Sequence, residues 1–310
     1  MKVGIILPLA EDEKQGRALS FEELRDRALQ AEALGFDSIW LYDHLLHRFE
    51  GSPPVGFWEC WTMLSALAAA TNRIEIGTQV LCTAFRNPAL IAKMADTLQE
   101  VSGGRLTLGL GCGWHEPEFE AFGLPFDHRV SRFEEALQII VPLLREGHVD
   151  FEGKYYSARD CELRPRGSLH GAPPIMVASF GPRMMRLTAR HADAWNTDWL
   201  GPVDLVEKHR TALQVACAEV GREAATLELT GGITIAYPDL GELPRWQTGP
   251  DQYLGGSAHE VAAGLRQYKQ LGIAHVMCAY YPNTAAALKR LGEALHVYRA
   301  AESVAAPANS

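Results

Sequence analysis

Apolar residues fall along this chain in short continuous runs, separated by longer stretches whose apolar positions recur at helical spacing. The runs are Val3–Leu7, Ser38–Tyr42, Ile74–Leu81, Leu106–Gly111, Ile175–Ala178, Ala192–Trp195, Leu227–Ala236 and Ala274–Ala279. Continuous apolarity, rather than alternation, marks parallel strands covered on both faces. The stretches between them carry helix boundaries. Ser20-Phe21-Glu22-Glu23 and Ser257-Ala258-His259-Glu260 are capping boxes, with Gly35 and Gly272 at the far ends. Asn87-Pro88 sets a capping side chain before a proline at the first helical position, and Gly181-Pro182 repeats the pattern with a weaker cap. Phe133, Ala136, Leu137, Ile140, Val141 and Leu144 form one helical stripe, and Pro142 within it predicts a kink.

Eight strand–helix units without a linker predict one closed α/β (β/α)8 TIM barrel spanning residues 1–302, with a flexible tail over 303–310. A doubly wound open sheet is the alternative, but no G-x-G-x-x-G follows the first strand. Three longer segments interrupt the rhythm. They lie after strand four (Trp114–Asp127), before strand five (His148–Pro174) and after strand seven (Tyr237–Gly256). The first and third belong to the face where barrel enzymes carry their sites. The second belongs mainly to the opposite face, and its Val149–Tyr156 reads as a hairpin.

Composition narrows the function classes. The chain has 310 residues, 47% hydrophobic, with a net charge of -9, so it lacks the general basic footprint of a nucleic-acid binder. The apolar start is too short for a signal peptide, and no segment approaches the roughly 20 apolar residues of a membrane span. The chain reads as cytoplasmic. Its cysteines (Cys60, Cys82, Cys112, Cys161, Cys217 and Cys278) are scattered without a CxxC pair, so they predict neither a zinc site nor a disulfide framework. An anionic ligand therefore needs a local positive site.

The unusual residues cluster at strand ends. Strand two ends in Tyr42-Asp43-His44, with His47 beyond. A histidine there can exchange a proton near neutral pH, and a neighbouring carboxylate can orient it. Asp43, His44 and His47 also have metal-ligand chemistry, although no further ligand set accompanies them. After strand three come Gln79-Val80 and Phe85-Arg86, whose polar groups can meet a ligand's heteroatoms. Strand four ends in Gly109-Leu110-Gly111-Cys112-Gly113-Trp114, glycines that let backbone approach a flat ring beside an indole. Strand five ends in Ser179-Phe180-Gly181-Pro182-Arg183, where a hydroxyl and helix-terminal amides can hold a phosphate. Trp58, Trp195 and Trp199 are candidate substrate-pocket residues, though each could equally fill core. No G-x-S-x-G elbow or P-loop is present.

Taken together, these motifs resemble the bacterial luciferase-like flavin-dependent oxidoreductases, and especially their short coenzyme F420-using branch. The resemblance covers about Val3 to Arg299 and is carried by Ala33–His44, Gly103–Phe119, Ala121–Phe126, Arg129, Arg132–Glu135 and Ala192–Asn196. It implies a ring cofactor at the strand ends, coenzyme F420 or, alternatively, FMN. It makes His44 the proton-transfer candidate, with Asp43 beside it. It puts Gln79-Val80 where the family often has a non-proline cis peptide, and Gly111, Cys112, Gly113 and Trp114 beside the ring. Ser179, Gly181 and Pro182 match a serine-glycine-proline phosphate segment, here interrupted by Phe180. Some deazaflavin dehydrogenases carry a glutamate where this chain has Trp114; Glu116 is a substitute without further support.

The leading reading is hydride transfer between F420 and a small organic substrate. The alternatives are an FMN-dependent monooxygenase served by a flavin reductase, a metal-dependent barrel hydrolase, and a catalytically silent flavin-binding relative. The resemblance further implies a homodimer. Nothing in the sequence names the substrate.

Overall fold

A computed structural model describes residues 1–12, 16–167, 171–200, 203–243 and 253–305. Eight parallel strands form its centre: β1 (Lys2–Ile6), β2 (Ser38–Leu41), β3 (Glu75–Thr78), β4 (Leu106–Gly111), β5 (Ile175–Ala178), β6 (Ala194–Trp199), β7 (Glu228–Ala236) and β8 (His275–Tyr281). Each pairs with its neighbour in sequence, and β8 pairs with β1, so the sheet closes into a (β/α)8 barrel. Around it lie α1 (Phe21–Leu34), α2 (Cys60–Ala70), α3 (Pro88–Ser102), α4 (Glu116–Ala121), α5 (Arg129–Glu146), α6 (Pro182–His191), α7 (Val203–Glu219), α8 (Ala258–Gln270) and α9 (Ala285–Ala305).

The local signals do what their chemistry requires. Ser20 and Ser257 each accept from the third helical amide, while Glu23 and Glu260 reach back to the cap. Asn87 accepts from Ala89 and Leu90 ahead of α3. The predicted stripe of α5 is buried along its length, and the helix continues through Pro142.

Strand side chains divide into two apolar clusters. Outward residues such as Ile5, Ile39, Leu41, Val177, Val276 and Cys278 pack under the helices. Inward residues Ile6, Trp40, Met176, Ala194, Met277 and Ala279 fill the barrel, topped by partly buried Tyr42, Val80, Trp199 and Tyr281. At the amino-terminal end of the barrel the floor is closed. The Trp40 indole N–H donates to Ser38 Oγ (2.6 Å), which is hydrogen-bonded to His275 Nε2 (2.7 Å). The Trp40 ring fits because Gly4 and Gly77 face it. A β-carbon on Gly4 would lie 2.0 Å from Ser38 Oγ, and one on Gly77 would lie 2.3 Å from the indole.

Several expectations are corrected. The hairpin before β5 pairs His148–Glu152 with Ser157–Glu162, so Gly153–Tyr156 is its turn rather than its second strand. The final helix runs to Ala305, so the tail expected over 303–310 begins inside it; residues 306–310 lie outside the described ones. The segment after β7 falls partly outside them too. After β2 the chain builds a small antiparallel pair, Leu46–His47 with Val55–Gly56, that strand periodicity does not announce. Among the described residues, no helix is long and apolar enough to cross a membrane.

Candidate active site

The carboxyl ends of the strands form the mouth, and the segments after β2 and β4 brace one another across it. The short helix α4 supplies the brace. Its Glu118 side chain is almost fully buried, with Oε2 accepting from the amides of Leu45 (2.9 Å) and Leu46 (3.4 Å). Its Oε1 lies 3.0 Å from His44 Nδ1. Burial works against the Glu118 charge, but the His44 ring and the two amides outweigh it and hold the carboxyl below its ordinary range. His115, just ahead of α4, accepts the Arg48 amide at Nε2 (2.9 Å). Two side chains from one segment thus fix the backbone of the other from Leu45 to Arg48.

His44 stands among rings. Its centroid is 4.3 Å from His47, 5.4 Å from Phe57 and 5.6 Å from Trp114. Trp114 is 55% exposed and stacks on Phe49, so it borders the mouth rather than filling core. His47 is held neutral. Burial, then the neighbouring His44 and His115, lower it to about 3, and its Nε2 has no hydrogen-bond partner.

Asp43 does not orient His44. Its carboxylate receives both terminal nitrogens of Arg86 (2.7 and 3.0 Å) and the Cys82 amide (2.9 Å). Arg86 also pairs with Glu59, whose side chain caps α2 at Trp61 and Thr62. Burial disfavours the Arg86 charge, yet these carboxylates raise its pKa above the ordinary value. The cluster joins the end of β2, the segment after β3 and the start of α2. Arg86, expected as a ligand contact, is consumed by it. Among the described residues, no group of three His, Cys, Asp or Glu side chains is arranged to hold a metal ion.

The ring-side candidates do converge. The Gln79–Val80 peptide is cis, and Val80 is half-buried at the top of the barrel interior. A β-carbon on Gly111 would lie 2.7 Å from Val80, so glycine lets the end of β4 approach it. Gly113 has φ +75, with Phe119 and Cys82 directly behind it. Cys112 is partly buried against the outer cluster.

The β5 end departs from expectation at Ser179. Thr188 Oγ1 donates to the Met184 carbonyl, so Ser179 Oγ donates to Thr188 (2.9 Å) and accepts the Trp195 indole N–H (3.1 Å). That hydroxyl is buried and already used. Gly181 is the N-cap of α6 and offers no side-chain cap, which leaves the first-turn amides beyond Pro182 for an anion. Phe180 is 55% exposed beside them, and Arg183 is held by Ser131 and Glu134.

The tryptophans separate. Trp199 faces the barrel interior, whereas Trp195 is fully buried in the outer cluster and lines no pocket. A register shift between Asn196 and Trp199 puts them on opposite faces. Trp58 is about half exposed, and its indole is anchored on the Leu19 carbonyl. Sequence reasoning missed Glu118 as the partner of His44 and missed the brace from His115. The pairs lie 74 and 67 positions apart, and only the fold brings them together.

The F420-dependent glucose-6-phosphate dehydrogenase of Microbacterium testaceum is 34% identical over 70% of this chain and 65% of its own length. The pyrimidine monooxygenase RutA of Rhizobium rhizogenes is 31% identical over 74% of this chain and 66% of its own. The chain thus spans less than two thirds of these relatives' length. An F420-dependent secondary alcohol dehydrogenase, solved with an F420–acetone adduct, superposes with a TM-score of 0.79 at 19% identity, covering 96% of this chain and 99% of that one. Residues 1–240 match the family described as luciferase-like monooxygenase, and the chain belongs to that family.

Proposed function

We propose that this protein is an F420-dependent oxidoreductase that moves a hydride between the deazaflavin and a small organic substrate at the barrel mouth. The observation that carries the reading is the His44–Glu118 pair at the strand ends, where a half-buried shelf of Tyr42, Val80, Trp199 and Tyr281 tops the barrel interior and its Tyr42 ring lies 6.3 Å from His44. The barrel interior below is closed, so the shelf is where a flat ring meets apolar contact without displacing core. The residues fit such a group. Gln79, Val80, Gly111 and Gly113 border the ring position and Trp114 forms its outer wall, whereas Cys112, expected beside the ring, packs against the outer cluster instead. The open amides of α6, after Gly181 and Pro182, suit its phosphate. Ser179 supports that turn from behind rather than touching the ligand.

When bound, the deazaflavin accepts or returns a hydride at a ring carbon. The protein's part is to hold the substrate's reacting carbon against that ring and to manage the proton. His44 Nδ1 is engaged by Glu118, which leaves Nε2 to take a proton from a substrate hydroxyl or to give one to a carbonyl. The similarity to F420-dependent enzymes supports the cofactor, and the similarity to a monooxygenase keeps FMN as the second reading. On the first reading the protein is a single-domain cytoplasmic homodimer. On the second it also needs a flavin reductase.

Equilibrium binding tests the cofactor. The purified protein is titrated with oxidised F420 and, separately, with FMN, following fluorescence quenching. Binding of the deazaflavin with at least tenfold preference over FMN, about 1.4 kcal/mol, is the expected result. Binding of FMN with reductase-dependent oxygen consumption, and none of F420, overturns it.

A further inference from the structure

We propose that Glu118 sets the working tautomer of His44 and so decides which way the imidazole can move a proton. This rests on His44 being the proton-transfer residue of the reaction proposed above. Glu118 is not adjacent to His44 in sequence and has no role implied by the strand-end motifs, yet its whole carboxylate is committed at the mouth. Oε2 is taken by the Leu45 and Leu46 amides, and Oε1 meets His44 Nδ1 at 3.0 Å. An ionised carboxylate can only accept, so Nδ1 carries the hydrogen and Nε2 of the neutral ring is bare.

The other groups facing His44 do not compete for this role. His47 comes from the small antiparallel pair and is itself neutral and unpartnered at Nε2. The phenol oxygen of Tyr42 accepts from the Leu9 (2.7 Å) and Ala10 (3.1 Å) amides. His115 is bonded to the Arg48 amide, Asp43 is turned to Arg86, and Phe57 and Trp114 offer ring faces and edges. Glu118 is the group that supplies a negative charge at Nδ1. In the oxidative direction the substrate O–H bond breaks and its proton goes to Nε2. The C–H pair leaves as hydride to the deazaflavin, and a C=O bond forms. The imidazolium then rests against the Glu118 carboxylate. In reverse the same proton returns to the carbonyl oxygen.

The two backbone amides make the idea testable. In Glu118→Gln the amide oxygen must stay on Leu45 and Leu46, because its NH2 cannot accept from them. The NH2 therefore points at His44 Nδ1, forces that nitrogen to accept, and moves the ring hydrogen to Nε2. Shape is kept and the tautomer is reversed, as when an orienting carboxylate is made an amide in other histidine-dependent enzymes.

The experiment compares wild type, Glu118→Gln and Glu118→Asp by proton–nitrogen correlation of the histidine side chains without cofactor. The His44 signal is identified by its loss in His44→Asn. Turnover, its pH profile and F420 affinity are measured alongside. The expected result is Nδ1–H in wild type and in Glu118→Asp, and Nε2–H in Glu118→Gln. Turnover in Glu118→Gln falls by roughly 10²–10⁴-fold with F420 affinity held within about threefold. Glu118→Asp recovers at least about tenfold over the amide. A wild-type tautomer in Glu118→Gln, or turnover within about threefold of wild type, overturns the proposal. If Glu118→Gln does not fold, Glu118→Asp decides: Nε2–H there overturns the proposal, and Nδ1–H supports it. Should wild type neither bind nor reduce F420, the functional reading fails, and the tautomers alone still decide what Glu118 does.

Discussion

The barrel holds a histidine at each end, and the two are built in opposite ways. His275 sits in the floor, buried, bonded at Nε2 to Ser38 Oγ and packed edge-on to Trp40. Its partners are neutral, and burial lowers its pKa to about 3. His44 sits at the mouth with its side chain 18% exposed, and its partner is a carboxylate. The floor closes on itself, with indole, hydroxyl and imidazole satisfying one another over glycines that leave no room. At the mouth the imidazole instead meets a carboxylate at Nδ1 and stays partly exposed. The same side chain is thus set in the floor among neutral partners and at the mouth against a charged one, and the proposed proton transfer rests on that difference.

The largest expected effect sharpens that contrast at the mouth. His44→Ala lowers turnover by roughly 10²–10⁴-fold in steady-state assays, while F420 affinity stays near wild type. Unchanged turnover removes His44 from the reaction. Next comes the floor. Gly4→Ala drives a methyl to 2.0 Å from Ser38 Oγ and should cost roughly 3 kcal/mol in denaturant unfolding. A cost near zero would mean the floor is loosely packed. A third test uses pH. His275 stays neutral in the folded protein down to about 3, whereas the unfolded chain takes up the proton near 6.5. The unfolded state therefore binds more protons across this window. Its contribution to stability is complete above that window and is lost as pH falls through it, at about 1.4 kcal/mol per unit. His275→Gln lowers stability at neutral pH but flattens the decline between those limits; an unchanged slope contradicts the floor's description. The smallest effect is at Ser179. Its hydroxyl is used by Thr188 and Trp195, so Ser179→Ala should cost about 1 kcal/mol of stability and leave F420 affinity nearly unchanged. A large loss of affinity would restore the serine to the phosphate site.

How much of this was legible follows from the range of each interaction. Strands β4 and β5 fall where their apolar runs predicted, and both capping boxes form, because these signals are local. The Gln79–Val80 position was marked by family resemblance, and its peptide is cis. Glu118 was not legible as a partner, since a carboxylate on a short helix gives no sign of the histidine it will meet. Asp43 misled for the converse reason. Adjacency suggested a contact, but successive residues at a strand end point apart, and Arg86 captured the carboxylate. Trp195 and Trp199 are separated by an even number of positions, which predicts one face of a strand. The register shift between Asn196 and Trp199 cancels that, and local pattern does not encode it.

Whether the mouth passes a hydride or activates oxygen is decided by mixing the protein with F420 and a panel of alcohols and sugar phosphates carrying deuterium on the carbinol carbon, with and without air. The expected result is that one substrate reduces the deazaflavin at the same rate in both, with deuterium delivered to the ring and a carbonyl product. Reaction that requires oxygen, with an oxygen atom entering the product and no label in the cofactor, overturns hydride transfer.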